Sequence, residues 1–486
     1  SGSFLLSGLV LGIMVLPIVA AISREVLLTV PVEQTEAAYA LGATRWEMVR
    51  GAMLPWARSG IVGASALGLG RAVGETIAIA LLLGNTPIIF QSLLGPGATL
   101  ASVIALEFGE ATGPQLAALT ALALVLFVIA FAINALARLL VGRTAAGRGR
   151  ARRLAGTPGR RRTEAPGAPE PAGPGCALEA GSAGAPSRRP AEILPRVPGV
   201  RRARSIAAQA AVYLGLVASL VPLAAILYEI VGNGVPALSA TFFTSDAPAD
   251  PSLEPRTGGI RNALVGTLIL MGLATAFAAP LGILTALFLT DVSANAGTAM
   301  RRSGAAIGFV VDVLLGVPSI VAGLIVYLGI VVVMGHFSAL AGGIALAVIM
   351  FPIVVRATEE ILRLVPEAQR EAALALGAPR WRTVWSVVLP AAAPGILTGV
   401  MLALARASGE TAPLLFTSLG NQFLSTDILE PIAALPQLIF RYSIEFQTPE
   451  SVEFSWGAAL VLVSIILALN LIARLIASLT RSLEAR

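Results

Sequence analysis

Lysine is missing from the chain: all 34 residues counted as Lys plus Arg are Arg. Without Lys there is no G-x-x-x-x-G-K-[ST] phosphate loop and no Schiff-base nucleophile, so the chain does not bind and split ATP by that route. Histidine and cysteine occur once each, as His336 and Cys176. That excludes a multi-ligand His/Cys metal site, a Cys pair and an internal disulfide. Charge is scarce too, at 13% of 486 residues against 56% hydrophobic, where a soluble domain carries about 25% charged residues. The runs 117–140 and 456–479 hold one Arg each and are about 24 residues long, enough to cross a bilayer as a helix. A soluble enzyme is excluded as the main reading, and no catalytic residue or metal site is expected.

The net charge of +6 conceals an uneven distribution. Residues 142–205 carry 14 Arg against four Glu (Glu164, Glu170, Glu179, Glu192), a balance of +10 that leaves about −4 for the rest. The stretch has no aromatic residue for base stacking, so nucleic acid is not the expected partner. Its Pro, Gly, Ala and Arg content predicts a disordered linker between two membrane units, lying on the cytoplasmic side by the positive-inside rule.

Apolar runs predict an all-α, polytopic membrane protein of about nine transmembrane helices. Three precede the linker, near 3–22, 60–83 and 117–140. Six follow it, near 206–230, 263–290, 305–334, 339–361, 395–419 and 456–479. With the linker inside, alternation puts 45–58, 291–302, 356–382 and 481–486 inside, and 90–113, 233–261 and 421–453 outside. The charges agree with that alternation. The linker and C-terminus are then cytoplasmic, and the N-terminus of this chain is outside.

An internal repeat recurs at an offset of 335. Glu36-Ala37-Ala38-Tyr-Ala-Leu-Gly42-Ala-Thr-Arg-Trp46 answers Glu371-Ala372-Ala373-Leu-Ala-Leu-Gly377-Ala-Pro-Arg-Trp381, followed by Leu-Pro55 and Leu-Pro390. Arg71-Ala-Val-Gly-Glu75-Thr76 then answers Arg406-Ala-Ser-Gly-Glu410-Thr411, and 22 of the 41 positions from Glu36 to Thr76 are identical without a gap. Pro17 and Pro31 match Pro352 and Pro366. Shared apolar bias gives scattered Ala and Leu matches, but not aligned Arg-Trp, Leu-Pro and Gly-Glu-Thr. The expected organisation is a partial unit over 1–141 with a coupling loop at 33–58, the linker over 142–205, and a complete unit over 206–486 with a coupling loop at 356–392. The second unit has four spans before its repeated loop where the first has one, so the front of the first looks cut.

Glu-Ala-Ala, then Gly, then Leu-Pro between two spans resembles the cytoplasmic coupling loop of ABC-importer permeases. Arg-x-x-Gly-Glu-Thr in both copies, with Gly316-Val-Pro-Ser-Ile-Val-Ala-Gly323 in the second, resembles the phosphate-import permease subunits. Residues 200–486 are similar to a complete PstA-type subunit, and 1–141 to the C-terminal half of a PstC-type partner. The resemblance implies a type I importer permease in a bacterial cytoplasmic (inner) membrane. It further implies nucleotide-binding ATPase subunits that carry the ATP and Mg, and an extracytoplasmic phosphate-binding protein. It leaves this chain without a cofactor of its own and makes a separately supplied front for the first unit a possible partner. Another oxyanion such as sulfate or molybdate, a secondary anion transporter, and a non-transporting remnant are the alternatives.

The coupling loops make sense physically. Residues 36–41 and 45–53 read as two short amphipathic helices, with Gly42 free to take a positive-φ turn between them and Pro55 suited to the first turn of the next span. Trp46 and Trp381 are docking anchors on one reading and interfacial belt residues on the other. Arg71 and Glu75, like Arg406 and Glu410, are four apart and so share a helix face. Each ionised group in a span costs about 2.5–3.5 kcal/mol on insertion scales and needs a partner or a wet cavity. They are either internal ion pairs fixing helix packing, or a substrate path with Thr76 and Thr411 in which forked guanidinium donors meet a tetrahedral oxyanion. Gly316-Val-Pro318-Ser319 either breaks a helix to present backbone N–H groups or is a packing kink. Asp312 is an arginine partner or a helix-end cap. His336 is expected in a short outer loop, and Glu107, Glu110, Asp246 and Asp250 on a solvated outer face.

Overall fold

The computed structural model describes residues 2–86, 88, 92–154, 199–249, 258–292, 297–446 and 448–484. Most of the expected linker, Cys176 and Asp250 lie outside them. Among the described residues there is no β-strand, only two isolated bridges.

The first half begins with α1 (Phe4–Leu28), then two short helices, α2 (Val32–Ala40) and α3 (Arg45–Met48). A π-helical turn at Val49–Met53 leads into α4 (Leu54–Val73), and α5 (Ile77–Leu83) follows at an angle of 64°. Next come α6 (Leu100–Glu107) and α7 (Pro114–Leu154). After the linker come α8 (Gly199–Gly234), α9 (Ala240–Thr244) and α10 (Arg261–Leu287). A 108° bend at residues 315–318 then separates α11 (Thr298–Leu314) from the run of α12 (Ser319–Val326) and α13 (Val332–Met334). Completing the chain are α14 (Ala339–Leu364), α15 (Glu367–Ala375), α16 (Arg380–Thr383), α17 (Leu389–Ala407), α18 (Ala412–Thr417), α19 (Leu435–Arg441) and α20 (Pro449–Glu484). Among the described residues, seven helices are long and apolar enough to cross a membrane, or nine if each bent pair is one span. Each of the nine expected runs has its helix or bent pair. The flanks of the 142–205 stretch are helical, since α7 continues to Leu154 and α8 starts at Gly199.

The chain forms two compact bodies. One comprises Ser1–Pro17, Ala66–Ala135 and Ser219–Arg486, and the other Ile18–Ser65 and Leu136–Ala218. In the larger body the core runs through α10, α14 and α17, around Leu270, Leu346, Met350, Val354 and Ala403. Small residues set the spacing there. A Cβ on Gly282 would come within 2.7 Å of Val354, and one on Gly399 within 2.7 Å of Ala357. Apolar lipid gives helices little reason to associate, so close approach between small residues is what holds such a core.

Candidate functional site

The two Arg–Glu segments sit at matching helix breaks in the larger body. α4 ends at Val73 and α17 at Ala407, each with its Arg in the last turn, where the helix dipole favours a cation. Glu75 and Glu410 therefore lie just past the helix ends, not on a continuous helix face as their four-residue spacing predicts. The backbone repeats as well, since the Glu75 N–H donates to Ala72 O at 3.3 Å and the Glu410 N–H to Ala407 O at 3.0 Å. Thr76 and Thr411 are buried at the starts of α5 and α18, and Thr76 Oγ1 donates to Gly74 O at 3.2 Å.

The breaks bring the two copies together. Arg406 Nη2 stands 4.0 Å from Glu410 Oε1, both side chains half-buried. Glu410 also lies within the field of Arg71 and accepts a hydrogen bond from Ser319, while Glu75 feels both Arg71 and Glu410. Arg406 Nε is buried and has no hydrogen-bond partner. The cluster is formally neutral, with two cations and two carboxylates crossing between the repeats.

The bend at Gly316–Ser319 is its third wall. A Cβ on Gly74 would come within 3.0 Å of Pro318, and one on Gly316 within 2.2 Å of Asn134 Nδ2. Asn134, buried on α7, donates to Ala130 O at 2.9 Å and to Gly316 O at 3.3 Å. The bend thus leads into α12, whose first residue, Ser319, donates to Glu410. Ser319 belongs to the motif singled out in the sequence, though for its backbone and not its side chain, and Asn134 has no sequence pattern that assigns it to this cluster. Asp312 pairs with Arg356, which also pairs with Glu359, so the arginine-partner reading of Asp312 is the one realised. His336 is exposed, with Nδ1 3.1 Å from Phe337 O. Glu107 is exposed, and Asp246 pairs with Arg261.

The coupling loops fold as elbows. In the first, which belongs to the smaller body, α2 ends before Gly42 at φ 76°, and α3 follows with a Thr44/Glu47 capping box. In the second, in the larger body, α15 ends before Gly377 at φ 83°, and α16 follows with Pro379 at its N-cap. Three hydrogen bonds recur at the same offset: Leu41, Gly42 and Ala43 donate to Ala37, Tyr39 and Ala38, and Leu376, Gly377 and Ala378 to Ala372, Leu374 and Ala373. Each elbow then enters its span through a π-helical turn, Val49–Met53 or Val384–Val388, with Pro55 and Pro390 exposed at the second residue of α4 and α17. Glu36, Ala37, Glu371 and Ala372 are exposed, while Ala38, Ala373 and Trp46 are half-buried and Trp381 is 67% exposed. The outermost apolar side chains were not singled out by sequence. Leu41 is 88% and Leu376 90% exposed, each immediately before its turn glycine. Their signal is the Leu kept immediately before the turn glycine in both copies.

Two homologous sets of membrane helices, each with an exposed elbow and a break carrying Arg and Glu, define the translocating part of a solute importer. The chain belongs to the family described as binding-protein-dependent transport system inner membrane component, which matches residues 2–146 and 278–482. It is 44% identical over 253 residues to the phosphate transport system permease protein PstA of Yersinia pestis, covering 52% of this chain and 82% of that protein. It is 39% identical over 280 residues to PstA 1 of Mycobacterium tuberculosis (strain ATCC 25618 / H37Rv), covering 57% of this chain and 88% of the relative. A solved inward-facing MetNI methionine ABC transporter superposes with a TM-score of 0.39 at 17% identity, covering 48% of this chain and 98% of its own. The chain is a multi-pass membrane protein and a permease component, a translocating subunit and not an enzyme.

Proposed function

We propose that this chain is the membrane permease of an ATP-driven importer for inorganic phosphate. The observation that carries the reading is the cross-connected cluster of Arg71, Glu75, Arg406 and Glu410, supported by the PstA relatives. Phosphate carries one to two negative charges near neutral pH, given a second pKa of about 6 for phosphoester groups. A formally neutral cluster selects it by the geometry of two guanidinium forks, and releases it because net attraction stays modest. Glu75 and Glu410 orient the forks, Ser319 orients Glu410, and Thr76 and Thr411 line the breaks.

ATP and Mg act on partner ATPase subunits that receive the two elbows. An extracytoplasmic phosphate-binding protein delivers the load to the outer face. The membrane is a bacterial cytoplasmic membrane, with the linker and C-terminus inside and the N-terminus of this chain outside. Residues 1–141 act as a PstC-type unit and 206–486 as a PstA-type unit. Two elbows with exposed apolar tips speak against a secondary anion transporter, which has no ATPase to dock.

Arg→Lys separates transport from packing, because Lys keeps the charge and loses the fork. Uptake of labelled phosphate per assembled complex is measured for Arg71→Lys and Arg406→Lys. Loss of most uptake, with assembly and ATPase retention intact, is expected. Near-normal uptake in both would leave a structural ion pair, and sulfate or molybdate competing equally well would shift the load to oxyanions in general.

A further inference from the structure

The two elbows are tied down by different arginines, and the first tie comes from across the linker. Arg201, in the first turn of α8, reaches the first elbow within the smaller body. Its Nε donates to Glu47 Oε1 at 2.6 Å, and its Nη2 donates both to Glu47 Oε2 and to Gly42 O, the latter at 3.1 Å. Glu47 is already held in the capping box, where Oε2 accepts the Thr44 N–H at 2.9 Å. One guanidinium thus joins the carbonyl of the turn glycine and the cap of α3 to a membrane helix. Packing does little to position α8, since none of its most apolar 18-residue window is buried. Among the described residues, the two-pronged Arg201 contact is a specific tie at that end.

The second elbow has the reverse arrangement. The residue at the Glu47 position is Arg382, which cannot accept such a fork, and Thr35 is replaced by Arg370. Arg370 on α15 pairs with Asp291, in the π-helical turn that ends α10, and donates to Leu362 O at 2.9 Å. Elbow two sends out the arginine, and elbow one receives it.

We propose that Arg201 is the positioning residue of the first elbow, making that elbow and α8 move as one piece when the ATPase pushes. This rests on the reading of the elbows as ATPase docking elements. The 142–205 stretch then joins two parts that meet again beyond it, and its far end is a working part of the coupling.

Two measurements test it in the full chain within its complex. First, Cys176→Ala with Glu47→Cys and Arg201→Cys, plus a protease site placed in the linker, is treated with a reducible bismaleimide, which alkylates both thiols and spans the gap left by the two long side chains. After cleavage the two fragments should stay joined until reductant is added, and fragments that separate without reductant, when each Cys alone is alkylated normally, overturn the contact. Second, uptake per ATP hydrolysed is compared for Arg201→Glu, the swap Arg201→Glu with Glu47→Arg, and the exposed neighbour Arg202→Glu. Arg201→Glu should cut the ratio about threefold to tenfold, a loss expected for a charged fork turned to repulsion. The swap should recover most of it, and Arg202→Glu should stay near normal. An unchanged ratio in Arg201→Glu, or a swap no better than the single change, overturns the proposal. Failure of the docking reading is seen separately, as normal ATPase retention and uptake in a Leu41→Asp, Leu376→Asp protein.

Discussion

Helices α1 and α14 are copies of one segment, with Pro17 and Pro352 at the same place, yet they live in different surroundings. In the most apolar window of α14, 61% of residues are buried, against 6% in α1. α14 is covered by α10, through contacts such as Leu270 on Gly342 and Leu273 on Gly343, and by α18, through Leu414 and Ser418 on Gly342. The features that recur despite this difference are all local. The elbow hydrogen bonds, the π-helical turns, and the bridges Gly84·Gly97 and Leu419·Ile432 hold in both halves. So do the paired positive-φ residues Gly84-Asn85 and Leu419-Gly420. Backbone conformation follows the repeat, whereas burial follows the neighbours.

The largest test of that contrast is truncation at one repeat position in both helices. Leu346 is 2% exposed and its counterpart Leu11 is half-buried. Leu346→Ala should destabilise the folded state by about 2 kcal/mol or more through the cavity left behind, and Leu11→Ala by less than about 1 kcal/mol. Denaturant titration of purified protein in detergent measures both. Equal losses would mean that α1 is covered as α14 is.

Next in size is the local feature that both halves keep. Gly42→Val and Gly377→Val each force a β-branched residue into a left-handed turn, at a cost of about 1–2 kcal/mol. If the elbows are equivalent, both variants should insert normally and lose ATPase co-purification and uptake to a similar degree. A loss confined to one would break the equivalence. Normal values for Gly377→Val would remove the docking role.

How far the chain could be read without coordinates follows the same division. Span positions and elbows were legible because apolar runs and a gap-free repeat are properties of the local sequence. The bends were not. Val73-Gly-Glu-Thr-Ile77 lies inside a longer apolar run, and the i,i+4 spacing of Arg71 and Glu75 reads as one helix face although the helix stops between them. Pro318 did carry a signal, but only the fold places Pro318 beside Gly74 and Asn134 beside Gly316. The Arg201–Glu47 tie joins residues 154 apart with no pattern linking them. Leu41 and Leu376 are visible in the sequence only as repeated residues, and only the fold shows them turned outward.

The smallest effect concerns the loops that follow the two breaks. In the first half this loop is held by backbone contacts, such as Thr86 N–H to Gly97 O at 3.2 Å, and by Ser102 Oγ, which donates to Asn85 Oδ1 at 2.9 Å. The second half has a charged tie, in which Arg261 forks onto Asp246 at 2.9 and 3.0 Å and Asp246 Oδ2 accepts the Leu424 N–H at 3.2 Å. The Arg261 fork, helped by the Leu424 N–H, holds the Asp246 carboxyl below the usual carboxylate range. A lowered folded-state value means that the tie stabilises fully above the unfolded value of about 4 and fades as the pH falls through the lowered one. The contact is largely solvent-exposed, so its worth is below about 1 kcal/mol. Protection of the Leu424 amide, measured by hydrogen exchange and normalised to its unstructured rate, should hold from pH 7 to 5 and drop severalfold below about pH 4. Thr86 should keep its protection across that range. Asp246→Asn should give Leu424 the low-pH behaviour at every pH, because the amide side chain keeps a hydrogen-bond acceptor but no charge to hold the fork. A Leu424 amide indifferent to both pH and Asp246→Asn would mean that the loops of the two halves are held alike, with no working part for charge.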